Sequence, residues 1–130
     1  MTIYEIDLGA PIRYFIAGEF TSRPGWVHAQ YDHGPDFELI IGISGHFDLV
    51  YHLADDPSHE RSLRVSPSSC VLLPPNITVW GTGRTGENVD FGAVFLASDA
   101  LQRVRLDGDG GRRLLGRHGR FAWFPVRQEM

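Results

Sequence analysis

The sequence predicts an all-β sandwich or barrel. Short strand-like runs recur at about 8–12-residue spacing, each closed by a glycine- or proline-bearing cluster. Glycine and proline make up 23 of the 130 residues, above the usual share of about 12%, so turns are frequent. At 130 residues the chain is expected to be a single domain with a core large enough to need no disulfide or metal.

The elements follow in order. Tyr14–Phe20 is an apolar run closed by Thr21-Ser22-Arg23-Pro24-Gly25. Trp26–Tyr31 reads as a strand with Trp26, His28 and Gln30 on one face. Asp32–Asp36 is a loop. Phe37–Ile43 is apolar on both faces and reads as a buried strand. Ser44-Gly45 is a tight turn, and Phe47, Leu49, Tyr51 and Leu53 then alternate with more polar positions. Residues 37–53 are therefore expected to form one β-hairpin. Ala54–Glu60 is polar and turn-rich, and Leu63–Val65 is a short strand. Cys70–Leu73 is a second buried strand, broken by Pro74-Pro75-Asn76. Ile77–Trp80 is extended, and Gly81–Asn88 is a loop with three glycines. Val89–Leu96 is an apolar strand. Ser98-Asp99 opens a predicted short helix over Ala100–Arg105, which Gly108–Gly111 ends. Phe121–Val126 is a last strand.

Composition narrows function. Apolar residues are 42% and charged residues 22%, which is globular and excludes a disordered tail or a fibre. No apolar run is long enough to span a bilayer as a helix, and the first residues have no signal-peptide pattern. The single Cys70 forms no internal disulfide, fits a reducing cytoplasm, and reads as a small core residue. Net charge is −4, with arginine as the only basic residue besides histidine. Residues 1–102 carry five arginines against thirteen acids, and residues 103–130 seven against three. An acidic body does not attract nucleic acid. The basic stretch lacks interleaved aromatics and reads as a solvated face.

No motif for a nucleophile or a phosphate loop is present. Gly42-Ile43-Ser44-Gly45-His46 resembles a nucleophile elbow, but its last position is histidine and no helix follows. One cysteine gives no zinc spacing. Six histidines are scattered, and His59 and His118 lie in polar stretches where they are solvated. His33 stands out because Glu38 and Gly45 follow it at regular distances.

His33-x4-Glu38-x6-Gly45 resembles the tail of the first cupin motif, H-x-H-x(3,4)-E-x6-G. Its first histidine falls on Tyr31. The second cupin motif resembles Ser68-x5-Pro74-x-Asn76-x2-Val79-x3-Gly83, with only the proline kept. Of the four metal-ligand positions that this resemblance implies, His33 and Glu38 remain, and Tyr31 and Val79 replace the others. A catalytic metal takes three protein ligands and a structural one four. No metal and no cofactor is therefore expected; His33 and Glu38 would be the ligands of any metal held.

A second resemblance covers residues 14–96. Ile16-Ala17-Gly18-Glu19-Phe20, Pro24-Gly25-Trp26-Val27-His28, Asp36–Ile41 with Gly45, Leu72-Leu73-Pro74-Pro75-Asn76 and Val89–Phe95 are similar, in order and spacing, to the N-terminal effector-binding domain of AraC-family transcription regulators. Departures are Asn76 for glycine, Val79 for a common histidine, Ala93 for a common tryptophan and Leu96 for phenylalanine. The resemblance implies a cupin-like β-roll, or double-stranded barrel, over about residues 12–97. A short helix, a Gly/Arg-rich connector and a final strand would follow over 98–130. It implies a cytoplasmic, non-enzymatic sensor that holds a small-molecule effector and could form a homodimer. Contact with DNA would come only through a helix-turn-helix domain absent from this chain, and no membrane is involved. By inward alternation the ligand-lining residues would be Phe20, Trp26, His28, Tyr51, Trp80 and Phe91, which are equally suited to a plain aromatic core. The competing reading is a stand-alone cupin enzyme, an isomerase, cyclase or metal-dependent oxygenase. In it, Tyr31, His33 and Glu38 would converge for acid–base work.

Overall fold

The structure, a computed structural model, describes residues 2–7, 11, 13–99, 101–105 and 121–126. Eleven strands are present among them: β1 (Thr2–Asp7), β2 (Tyr14–Ser22), β3 (Tyr31–Asp32), β4 (Phe37–Ser44), β5 (Phe47–Leu53), β6 (Asp56–Val65), β7 (Cys70–Leu73), β8 (Ile77–Thr82), β9 (Val89–Leu96), β10 (Leu101–Arg105) and β11 (Phe121–Val126). They form two four-stranded antiparallel sheets, ordered β2-β9-β4-β7 and β3-β8-β5-β6, and a three-stranded sheet ordered β10-β1-β11. The all-β expectation holds.

The core lies between the two four-stranded sheets. Ile40 from the first sheet and Leu49, Ile77 and Val79 from the second are almost fully buried, with Phe47, Tyr51, Val65, Leu73, Val89 and Phe91 around them. These are alternate residues of their strands, as a two-residue side-chain period requires when one face of each sheet meets the other. The outer face of the second sheet is polar. There Asp48 meets Arg64 and Thr78 donates to Asp32.

Several expectations are corrected. Residues 37–53 are not one hairpin: β4 pairs with β7 and β9, whereas β5 pairs with β6 and β8. The turn at Gly45 (φ 68°) carries the chain from one sheet to the other. Local alternation fits a hairpin and a sheet-to-sheet corner equally, and pairing is decided by distant strands. Of the expected Trp26–Tyr31 strand only Tyr31 joins a ladder, together with Asp32, which was expected in the loop. Asp56–Glu60, expected as turns, extends β6 despite its polarity, because β6 is an edge strand with one face in water. The predicted helix is strand β10 over Leu101–Arg105, paired with β1, which the sequence did not suggest as a strand. Asp99 pairs with Arg13 across the chain instead of capping a helix. Ala100 and the connector over 106–120 lie outside the described residues. Cys70 is exposed at the start of β7 and not in the core.

Asn76, where the resembled family has glycine, adopts φ 57°. Asparagine tolerates this left-handed region best after glycine, so the turn survives the exchange.

Candidate functional site

β6 and β7, at one edge of each sheet, are joined by a four-residue connection, and β2 and β3 are the opposite edges. On the inner face of the first sheet three rungs run across β2, β9 and β4: Ile16–Phe95–Glu38, Gly18–Ala93–Ile40 and Phe20–Phe91–Gly42. Ile16 and Phe20 face inward yet are 66% and 41% exposed. The seam is therefore open to solvent.

The middle rung is low. A Cβ built on Gly18 would meet nothing within 4 Å. Beside it Ala93 contributes one methyl, where the resembled family commonly carries tryptophan. Side chains stand roughly perpendicular to a sheet, so the neighbouring rungs form walls on either side of this notch. They lie roughly 13 Å apart, four residues along a strand. That spacing leaves room for a flat ring system on Gly18 and Ala93.

One wall is aromatic. Phe20 packs on Trp26 and on Phe91, each with ring centroids 5.1 Å apart. Trp26 meets Phe47 edge-on at 5.2 Å, and His28 stacks parallel to Phe47 at 6.5 Å. Residues 25–28 are pinned by backbone bonds: Trp26 and His28 carbonyls accept from Thr85 and Gly81, and the Gly25 amide donates to Thr85. Gly81 is needed here, because a Cβ on it would lie 2.6 Å from the His28 amide nitrogen.

The other wall is polar at its base. His33 Nε2 lies 2.9 Å from Glu38 Oε2, and the two side chains are only 1% and 8% exposed. Nε2 has no aligned hydrogen-bond partner among the described residues, so the pair is in contact without a well-formed hydrogen bond. Tyr31 meets the imidazole edge-on at 5.1 Å, and Phe95 covers it at 5.6 Å. A buried polar pair of this kind is costly unless something completes it.

The donor set does not fit a metal centre. The four cupin-like positions do converge: Tyr31 pairs with Val79 across β3 and β8, and His33 touches Glu38. Yet Val79 is apolar and Tyr31 is a phenol. No group of three or more His, Cys, Asp or Glu side chains gathers among the described residues. Two ligands fall short of the three that a catalytic metal takes.

Of the residues expected to line a ligand site, Phe20, Trp26, His28 and Phe91 come together in the aromatic wall. Tyr51 lies in the core, 2% exposed, with Arg61 over its ring. Trp80 is corrected: it packs against His52 on the outer face of the second sheet, opposite in phase to the buried Ile77 and Val79. Phe47, Phe95, Gly18 and Ala93 were missed. The alternation that put Phe91 inward also puts Ala93 and Phe95 inward. The pairing of Gly18 with Ala93 depends on register, which the sequence does not show.

Away from the cleft, three groups are shifted. The Arg64 guanidinium, hydrogen-bonded to Asp48, holds that carboxyl below the ordinary range and is itself raised by the same bond, and partial burial pushes the Cys70 thiol up.

No family model matches the chain, and no curated protein matches it closely enough to count as a relative. Solved structures do match. The Drosophila melanogaster CENP-C cupin domain aligns at TM-score 0.54 with 6% identity, covering 61% of this chain and 59% of that one. An oxalate decarboxylase aligns at 0.57 with 19% identity over 72% of this chain and 24% of that one. Procruciferin, an 11S globulin of Brassica napus, aligns at 0.53 with 14% identity, covering 71% and 23%. The chain thus spans about three-fifths of the CENP-C domain and about a quarter of the other two. Two four-stranded sheets in this arrangement are a cupin-like fold. Identities this low show the fold and nothing of the activity.

Proposed function

We propose that this cupin-fold chain is a small-molecule-binding sensor domain of the AraC type, binding its effector without turning it over. The observation that carries the reading is the notch at Gly18 and Ala93. It is an open place on the inner face of the sheet, with aromatic side chains at one end and, behind Phe95, a buried polar pair at the other. Ligand sites are concave, mostly apolar and oriented by few polar groups. The resemblance over residues 14–96 supports the regulator context, in which a separate helix-turn-helix domain would contact DNA. It also supports a cytoplasmic setting and a homodimer. The depleted metal set favours binding over metal-dependent chemistry.

One observation favours a second reading. Tyr31, His33 and Glu38 converge, as acid–base catalysis requires. A metal-free isomerase or cyclase would use the same cleft.

The test is a small-molecule screen by thermal shift on the wild type and on Gly18→Leu. That variant fills open space and should keep the wild-type far-UV spectrum and Tm. A compound that raises the wild-type Tm and leaves Gly18→Leu unmoved places its site in the notch. Equal shifts in both would put the ligand elsewhere and end this reading. Turnover of a bound compound, lost on Glu38→Gln, would replace it with the enzyme.

A further inference from the structure

We infer that the cleft takes a flat, uncharged arene carrying a single hydroxyl, which bridges His33 and Glu38. This rests on the reading of the notch as a ligand site and adds the class of ligand.

The polar end sets the head group. With Nε2 protonated, the lone pairs of imidazole and carboxylate do not oppose each other at 2.9 Å. Nε2 has no aligned hydrogen-bond partner among the described residues. The carboxylate retains acceptor capacity for the same reason. A hydroxyl accepts and donates at once, so it takes the His33 hydrogen and gives its own to Glu38. A carboxylate in that place would face Glu38 with like charge.

The surroundings agree. Arg13 pairs with Asp99, Arg64 with Asp48, and Arg61 lies over Tyr51 on β6, the far edge of its sheet, while Arg84 donates to the Gly25 carbonyl and Arg23 is exposed in the turn after β2, both at the aromatic end. At the polar end the contacts of His33 are Glu38, Tyr31 and Phe95, so an anionic head there would meet the Glu38 carboxylate with no arginine beside it. A polyol would bring several hydroxyls to a site with one polar pair, and each unpaired hydroxyl would be desolvated without return. The rest of the lining is Ile16, Gly18, Phe20, Phe91, Ala93 and Phe95. This suits a ring face lying on a low floor between walls. Tyr31, half-exposed on a two-residue edge strand, lies edge-on against His33 and would have to move for a hydroxyl to reach the dyad.

Four probes test this by calorimetric titration: 2-naphthol, naphthalene, 2-naphthoate and arabinose. The wild type should bind 2-naphthol at least about tenfold more tightly than naphthalene, which corresponds to about 1.4 kcal/mol. It should bind naphthoate and arabinose more weakly still. Glu38→Met, which removes the acceptor, should bring 2-naphthol down to the naphthalene affinity and leave naphthalene unchanged. If that variant fails to fold, His33→Leu serves the same purpose, and the wild-type series stands alone if both fail. Naphthoate or arabinose binding as tightly as naphthol overturns the inference. So does a hydroxyl preference that survives in either folded variant, and so does no binding of any probe. A screening hit of other chemistry, lost in Gly18→Leu, would overturn this inference while leaving the sensor reading intact.

Discussion

The two walls of the cleft stand on the same strands and do opposite things. At one end Phe91 and Phe47 are 6% and 4% exposed and belong to the core between the sheets. At the other end the same strand, four residues on, places Phe95 over a buried histidine–glutamate pair. Burying rings between sheets is favourable whether or not a ligand exists. Burying a carboxylate against an imidazole is unfavourable unless the geometry is very good, and here it is out of line. The aromatic wall is therefore explained by folding. The polar wall is not.

The largest effect should come from the aromatic wall. Phe91→Ala opens a cavity between Phe20, Trp26 and Phe47, and should cost about 3–5 kcal/mol in a urea denaturation. A loss below about 1 kcal/mol would mean that the wall is loosely packed, and the contrast between the two ends would fail.

The polar wall should respond in the other direction. Replacing both members, His33→Leu with Glu38→Met, removes two polar groups at once and leaves neither orphaned. The double variant should be as stable as the wild type, or more stable by about 1–4 kcal/mol, while losing ligand binding. A double variant less stable than the wild type would make the pair a structural element.

The sequence showed this contrast only in part. Periodicity gave the strand class, and the positions of His33 and Glu38 within a cupin-like spacing marked the polar end before any geometry was known. Phe20, Trp26, His28 and Phe91 were also visible as a likely inward set. What stayed hidden depends on pairing between distant strands. Alternation places Phe47 to Leu53 in phase but does not say that β5 leaves the sheet of β4. Gly18 and Ala93 are unremarkable apart, and become a notch only when register puts them side by side. Trp80 shows the same limit, since a tryptophan next to a turn is apolar enough to suggest the core while its phase along β8 points it outward. The helix expected after Ser98 failed because local capping signals were outweighed by pairing with β1, a strand about a hundred residues earlier.

The smallest effect should come from an ion pair outside the cleft, which supplies the reference for the buried one. Asp48 receives two hydrogen bonds from Arg64, at 2.8 and 3.1 Å, on the outer face of the second sheet. Its folded pKa is lowered from the ordinary 3.8, first by the hydrogen bond from Arg64. The stability linked to that shift is thus fully present above the ordinary value and lost as pH falls through the lowered one. Asp48→Asn should melt lower than the wild type at pH 7, by no more than about 2 °C, because solvent and salt screen an exposed pair. The two melting curves should converge in strong acid, where the wild-type carboxyl is also neutral. A difference that persists at pH 2 would trace to the side-chain exchange and not to charge. A loss at pH 7 as large as that expected of Phe91→Ala would show that solvent does not screen this pair, and that exposure does not separate it from the buried one.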